Sequence, residues 1–450
     1  MSVPGRGRLG TVDGIAIVVG IVVGVGIFRA PSEVARLAAS EAQLFLLWAA
    51  GGLAALAGGL CYAELASAWP NAGGEYHFLK RAFGARLGLL FVWARASVIQ
   101  TGAIAAVAFV FGDYASELAP LPPWLLAAGA VAVLTSVNLA GWRPGRLAQR
   151  LLTGLTVAAV VALAVAGLSA EAAPAATQPP PPTRGGEAFG MALVFVMLTY
   201  GGWNEAAYLA GDLDRRRTGM AVVLAGGLAL VVALYLALNA AFVTALGIEG
   251  MRGEPAVATA TARAAMGEAG AGVLGVVVCV AALSTLNATV ITGANAIAAL
   301  GGDVRPLGAI ADRRRALAVQ GGWALALVAV GATAQDGFTA MIEFTAPVFW
   351  LFLTLVGVAL FVLRRHRPEA ERPFRVPLYP AIPLAFCATS VFMLWASIGY
   401  VGASGAFGLA LLALGWPFVA WAARRLNPAS AGAATATGRD ARGSTTRSGR

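Results

Sequence analysis

The stretch Val18–Phe28, VVGIVVGVGIF, is apolar enough to sit in lipid and yet carries Gly20, Gly24 and Gly26. Each glycine costs a helix about 1 kcal/mol relative to alanine. A second apolar stretch, Met197–Leu213 (MLTYGGWNEAAYLAGDL), sets Gly201 and Gly202 side by side in mid-run. Such interruptions supply the chemistry of the main chain. An unwound stretch frees N–H and C=O groups, which is tolerated at membrane depth only where they are buried in protein or face a watery cavity. The N-terminus of a half-helix carries partial positive charge and its C-terminus partial negative charge, so a broken pair can hold a carboxylate and an ammonium at once. A zwitterion needs both, because either charge left unpaired at low dielectric costs several kcal/mol. The competing reading is that the glycines only let helices pack closely, and Gly20 and Gly24 have the four-residue spacing of such contacts. Two clusters in equivalent runs, the second followed by Trp203, Asn204 and Glu205, favour a binding site.

A few side chains add to this set. Glu205 directly follows the second break, where it either steers cationic substrates or pairs with an arginine of the bundle. Arg95, in VWARASVIQTG, lies about ten residues into its run. An arginine inside a span is costly and is usually functional or paired, but one near the inner end can snorkel to the headgroups. Both readings stay open. Tyr200 and Trp203 are candidates for a pocket wall or for core packing. Asp13, Glu64, Glu75 and Asp212 fall at run ends, where a structural ion pair is the expected role.

Catalysis finds little support. The only histidines, His77 and His366, lie between apolar runs, and no H-E-x-x-H, G-x-S-x-G or phosphate-cradling loop occurs. A channel would need a selectivity ring or pore-lining charges, and none is evident. No metal or other cofactor is implied.

The elements that position these residues follow from composition. A chain of 450 residues that is 59% hydrophobic and 12% charged has more apolar surface than any soluble globule can bury. Its mean hydropathy is +0.76. Apolar runs of about 20 residues match the length of a membrane-crossing helix, and the period-2 alternation of a membrane barrel is missing. Twelve runs are predicted: 14–36, 42–68, 84–117, 121–141, 147–169, 187–211, 219–247, 270–300, 316–333, 337–363, 380–401 and 405–423. The first is too long for a removable signal, and a second span follows at once. The expected protein is therefore an all-α, multi-pass membrane protein, with a cytoplasmic N-terminus (1–13), a transmembrane domain (14–424) and a disordered basic tail (425–450).

The net charge of +10 is an orientation signal rather than a nucleic-acid footprint. With the N-terminus inside, 26 of the 32 basic residues fall on cytoplasmic segments, five fall outside (Arg29, Arg36, Arg184, Arg252, Arg263) and Arg95 falls within a span. The positive-inside rule then puts both termini in the cytoplasm. Cys61, Cys279 and Cys387 all lie inside apolar runs, so no disulfide is expected. The outer loop AATQPPPPT reads as a stiff extended spacer.

Broken first and sixth runs, five apart, are the pattern of a transporter built from inverted repeats. At these residues the chain resembles the amino acid-polyamine-organocation superfamily and, within it, the L-type amino acid transporter group. DGIAIVVGIVVGVGIFRAPSEVA resembles that family's first helix, and YGGWNEAAYLAGDL its sixth. CYAELASAWPNAGGEYHFLKRAFG, SVIQTGAIAAVAFVFGDYA, STLNATVITGANAIAAL and FVLRRHRPEAERPFRVPLYPAIP are similar to its second-to-third connection, third helix, eighth helix and tenth-to-eleventh connection. The similarity runs from about Asp13 to Pro383.

The resemblance implies a five-plus-five inverted repeat (about 14–169 and 187–363) followed by two further helices (380–423), alternating access, and exchange or uptake of amino acids. It implies a binding set of Val22, Val23, Gly24, Val25, Gly26 and Ile27 on the first helix, with Leu198, Thr199, Tyr200, Gly201, Trp203 and Asn204 on the sixth. The N–H groups around Val25 and Gly26 would take the carboxylate, and the carbonyls of Val22, Leu198 and Gly201 the ammonium. Three positions depart from the family pattern. Val25 replaces a serine, so the carboxylate would rest on backbone alone. Leu198 replaces an aromatic gate. Thr156 stands where the family has a lysine linked to coupling, which either removes proton-linked cycling or hands the bridging role to the Thr156 and Ser284 hydroxyls. The only lysine in the chain is Lys80.

The implied function is secondary active transport of neutral L-amino acids across the cell membrane, exchange favoured. Cationic amino acids or polyamines, proton symport and a transport-dead amino acid sensor are the alternatives. The implied partners are a small amino acid and the lipid bilayer. Animal members bind an accessory glycoprotein through an exterior cysteine after the third helix. SELAPLPP holds none, so no disulfide-linked subunit is expected.

Overall fold

The computed structural model describes residues 11–71, 74–141, 146–173, 185–203 and 217–425. Asn204, Glu205, Asp212 and nearly all of the basic tail lie outside them. All the described elements are helices: α1 (Thr11–Val22), α2 (Ala30–Leu37), α3 (Glu41–Ala68), α4 (Glu75–Phe83), α5 (Ala85–Ser116), α6 (Pro123–Leu139), α7 (Arg146–Leu168), α8 (Gly185–Thr199), α9 (Arg217–Met251), α10 (Val257–Asp303), α11 (Arg313–Gly331), α12 (Gly337–His366), α13 (Ala381–Tyr400) and α14 (Ala403–Ala423).

Eight of these, α3, α5, α7, α9, α10, α12, α13 and α14, are long and apolar enough to cross a membrane, and α6 and α8 are shorter apolar helices. Large apolar side chains stand exposed on their outer faces, among them Leu53, Val133, Leu151, Val165, Val273 and Leu414. A row of this kind needs lipid as its solvent.

Local chemistry sets the ends. Ser40 caps α3: its Oγ accepts from the Gln43 N–H at 3.2 Å, while Gln43 Oε1 accepts from the Ala39 N–H at 2.7 Å, a reciprocal pairing that satisfies two orphan donors. Asp336 caps α12 by accepting from the N–H groups of Phe338 and Thr339. The predicted runs differ from the helices in instructive places. Run 14–36 is two helices separated by non-helical backbone, and run 187–211 stops being regular helix at Thr199. Runs 219–247 and 270–300 are each part of a longer helix, kinked at Gly247 (φ 66°) and Gly267 (φ 72°), where glycine alone adopts the left-handed turn without strain. Polar residues beyond each kink hide the extension from a hydropathy reading.

The packing places the interruptions at the centre. α1 lies against α9, α2 against α8, and α7 against α9 and α10, while α5 packs on α6, α10 and α12. The break after α1 and the break after α8 are therefore walled by α5, α7, α10 and α12.

Candidate functional site

α1 ends at Val22. Val23 and Gly24 leave the helix, with Gly24 extended (φ −113°, ψ −175°), and Val25–Phe28 form a single 3-10 turn before α2. Arg29 closes that turn by donating its N–H to the Gly26 carbonyl at 3.1 Å. The second interruption faces the first. α8 stops at Thr199, the Gly201 N–H donates to the Leu198 carbonyl at 3.1 Å, and Gly202 takes φ +101°.

The two breaks touch, and glycine makes this possible. A Cβ on Gly202 would fall 2.8 Å from the Ile21 carbonyl oxygen, and one on Gly26 would meet Thr199 Cα at 3.5 Å. A phenol from α9 joins them: the Tyr235 hydroxyl donates to the Val22 carbonyl at 3.2 Å and lies 3.5 Å from the Thr199 carbonyl. Tyr235 is fully buried. Sequence reasoning missed it, because one tyrosine in an apolar run carries no periodic or motif signal.

A cavity of about 1330 Å³ opens beside the breaks. Val22, Val23, Gly24, Val25 and Gly26 line it from the first break, and Leu198, Thr199 and Gly201 from the second. Its wall continues along α5 (Gln100, Ala103, Val107), α10 (Ser284, Thr285, Thr289, Thr292) and α12 (Phe338, Ile342, Phe349), and it reaches down α1 to exposed Val12. Thr156 and Ser284 both line it, and among the described residues no hydrogen bond joins them. Thr156 Oγ1 donates instead to the Leu152 carbonyl one turn back, at 2.9 Å. Thr153, not singled out from sequence, lines the same wall and sits where a Cβ on Gly20 would come within 2.9 Å of its Cγ2.

Three predicted residues are placed elsewhere. Tyr200 is buried, its hydroxyl donates to the Trp48 carbonyl at 3.1 Å, and its ring packs 5.2 Å from Tyr235 and 5.8 Å from Trp48. Trp203 lies edge-on to Tyr62 (5.1 Å) and Phe386 (5.8 Å). Ile27 is fully buried in the core. None of the three lines the cavity: Tyr200, still bonded to the Val196 carbonyl at 3.0 Å as the last turn of the helix, faces Trp48 and Tyr235, and Trp203 lies past the left-handed turn at Gly202. Asn204 and Glu205 lie outside the described residues.

Beyond the first break the bundle is shut by charge. Arg29, counted from sequence as an exterior loop residue, is 1% exposed. Its guanidinium binds Glu33 at 3.1 Å, Asp113 at 3.2 Å and Asp336, and lies 5.0 Å from the centre of the Phe338 ring. One arginine thus ties α2, α5 and the cap of α12. Next to it the Tyr114 hydroxyl donates to the Phe28 carbonyl at 2.6 Å and accepts from the Ala258 N–H at 3.2 Å. Glu64 takes the structural role expected of it: Arg364 binds it through two contacts of 2.7 and 2.5 Å, and the Val376 N–H donates to it at 2.7 Å.

Charged side chains on the cavity wall, among the described residues, are Glu75 and Arg95, 3.4 Å apart. Around the breaks the wall is apolar apart from hydroxyls and main chain. Such a site can seat a small zwitterion by its two charges and leave its side chain against Val107, Phe338 and Ile342.

The family model for amino acid permeases matches residues 9–419. The human b(0,+)-type amino acid transporter 1 is 28% identical over 410 residues, covering 87% of this chain and 82% of its own length. The serine/threonine exchanger SteT of Bacillus subtilis is 26% identical over 413 residues (87% and 91%), and the human large neutral amino acids transporter small subunit 2 is 27% identical over 435 residues (91% and 79%).

Proposed function

The chain belongs to the amino acid permease family, and from that premise we propose that it carries neutral L-amino acids across the cytoplasmic membrane by alternating access, exchange favoured. One observation carries the proposal: two helix breaks meet on the wall of one cavity, and among the described residues no charged side chain lines it there. The substrate carboxylate takes the N–H groups of Val25 and Gly26. The ammonium takes the carbonyls of Val22, Leu198 and Gly201. The Val22 and Leu198 carbonyls already accept one hydrogen bond each, from Tyr235 and from the Gly201 N–H, and each keeps a second lone pair. Among the described residues a cationic side chain would find no carboxylate at this level of the cavity, which argues for neutral substrates; Glu205, which follows the second break in sequence and lies outside them, keeps cationic substrates as the alternative.

In this reading twelve helical spans form a five-plus-five inverted repeat and two added helices, with both termini in the cytoplasm. The described conformation is then the inward-facing one: the Arg29 cluster closes the outer end, and the cavity runs along α1 toward the cytoplasm. Thr156 offers only a hydroxyl where relatives in the family place a lysine, which favours obligatory exchange over proton symport. The α5–α6 connection has no cysteine, so the chain works without a disulfide-linked subunit.

The test is uptake of a panel of radiolabelled amino acids into proteoliposomes, with and without internal amino acid and with and without a proton gradient. Uptake of neutral amino acids that requires internal substrate is expected. Gradient-driven uptake into empty vesicles would overturn the exchange mode, and preferential uptake of cationic amino acids the substrate class. Gly26→Leu is expected to abolish uptake and binding while leaving membrane insertion intact, because its side chain would fill the space against Thr199; unchanged binding would refute the pocket.

A further inference from the structure

The break-centred site leaves unused the charged pair on the cavity wall. Arg95 sits where α5 changes pitch: Arg95–Ile99 form a π-turn, closed by the Gln100 N–H donating to the Arg95 carbonyl. The turn is held firmly. Ser97 Oγ donates to the Trp93 carbonyl and the Trp323 indole of α11 donates to the Ser97 carbonyl, both at 2.8 Å. A single π-turn inside a helix re-aims the side chains around it and is found most often at functional sites.

Arg95 is only lightly engaged. Its one hydrogen bond among the described residues runs from Nη1 to Glu75 Oε2 at 3.4 Å, and its side chain is 26% exposed. The contrast with Arg364 is direct, since that arginine grips Glu64 through two short contacts. Among the described residues, four N–H donors of the Arg95 fork remain uncommitted. Tyr62 of α3 lines the same cavity, is 0% exposed, and has a hydroxyl with no hydrogen-bond partner among the described residues. That hydroxyl lies within electrostatic reach of Glu75 and Arg95. Buried phenols nearly always find a partner, so an orphaned one on a cavity wall marks the place of an acceptor that comes and goes.

The cluster adjoins the far side of the second break, where Tyr62 packs 5.1 Å from Trp203, but Arg95 stands well back from the outer end of the first. Tyr114 of α5 meets Phe28 at the outer end of the first break, and Arg95 lies nineteen residues earlier on the same helix, about 28 Å of helical rise. An amino acid is a few bond lengths across, and the cavity, at about 1330 Å³, has room for more than one.

We infer that Glu75, Arg95 and Tyr62 form a second subsite in the same cavity, which takes a zwitterionic amino acid on its way to or from the breaks. The carboxylate seats on the Arg95 guanidinium and the Tyr62 hydroxyl, and the ammonium on Glu75. The exchange is balanced: the long Arg95–Glu75 pair opens, three charge-assisted contacts form, and no net charge enters the cavity. The inference rests on the transport reading above.

The experiment is equilibrium binding of each of the twenty L-[3H]amino acids to the purified full-length protein in nanodiscs, followed in detail with the tightest. Two molecules per chain are expected, in a tight and a weak phase. Arg95→Gln should remove the weak phase and Arg95→Lys retain it. Tyr62→Phe should weaken that phase about tenfold, the size of one hydrogen bond to a charged group. Gly26→Leu should remove the tight phase alone. Tyr62→Phe deletes only an unpartnered hydroxyl, so folding does not cloud the result, and a weak phase unmoved by it overturns the subsite. A single phase that neither Arg95→Gln nor Tyr62→Phe changes would overturn the subsite while leaving the transport reading intact. Binding of none of the twenty would overturn both.

Discussion

Replacing Gly202 by alanine tests whether the two helix breaks must touch. Two costs are expected, and the structure separates them. The first is conformational: φ is +101° at Gly202, a region where a side chain costs about 1–2 kcal/mol. The second is steric: the new Cβ would lie 2.8 Å from the Ile21 carbonyl oxygen. To reach ordinary contact the ends of α1 and α8 must part by about 0.6 Å, and overpacking of this kind costs about 1–3 kcal/mol. Gly141, in the turn after α6, isolates the first cost, because its φ is +88° and no atom lies within 4 Å of its would-be Cβ. Gly141→Ala should therefore lower the apparent melting temperature modestly and leave substrate affinity alone. Gly202→Ala should lower it further and weaken binding about tenfold, since a site held by backbone geometry tolerates misplacement of only about 0.5 Å. Fluorescence melting and scintillation-proximity binding on both variants decide the matter. Equal melting shifts, or wild-type affinity in Gly202→Ala, would refute the contact between breaks as a requirement of the site.

Tyr235→Phe removes the hydroxyl that joins Val22 to Thr199; a loss of about 1 kcal/mol, or roughly fivefold in affinity, is expected from isothermal binding. Arg29→Gln strands Asp113 and Asp336 without their shared cation, while Glu33 keeps Arg36 at 2.7 Å, and should cost about 3–5 kcal/mol, visible as poor yield of folded protein. Asp336→Asn should cost less than half of that, because asparagine still caps α12 and Arg29 keeps two carboxylates. His77, outside the spanning helices, is held below its ordinary value near 6.5 by burial and by the nearby Arg81 and Lys80. Below that pH the unfolded chain binds the proton more readily than the folded one, so stability should rise with pH through this window and level off above it. His77→Gln should flatten the slope in melts taken between pH 5 and 7.5, and an unchanged slope would refute the assignment.

What sequence could reveal depended on whether a residue's role leaves a local trace. Gly24, Gly26, Gly201 and Gly202 were legible because each is a poor choice for an apolar helix, and such a choice needs a reason within a few residues of chain. Glu64 was legible because a carboxylate at the end of an apolar run must find a partner. Arg29 was not. A basic residue just past an apolar run looks like a loop charge, and two of the carboxylates that bury it lie 84 and 307 residues away. Tyr235 was hidden for the same reason: its partners are in the breaks, not in its own helix. Tyr200 and Trp203 show the reverse error. They adjoin the second break in sequence, but Tyr200 ends its helix on the face turned to Trp48 and Tyr235, and Trp203, past the left-handed turn at Gly202, packs on Phe386 and Tyr62, so adjacency along the chain does not mean adjacency to the cavity.

The position of Arg29 explains why the break must be short. The 3-10 turn Val25–Phe28 has the cavity at one end and the ion cluster at the other, and a single hydrogen bond from the Arg29 N–H to the Gly26 carbonyl spans it. Four residues in a tight turn have no slack, so a shift of α2 large enough to part Arg29 from Asp113 and Asp336 must carry the Gly26 backbone with it. The amides that would hold a carboxylate are thus fixed to the contacts that shut the bundle beyond them. A side-chain site would lack this property, because a long side chain can keep its ligand while the backbone moves. Building the site from main chain at a break makes substrate geometry and closure of the bundle the same degree of freedom.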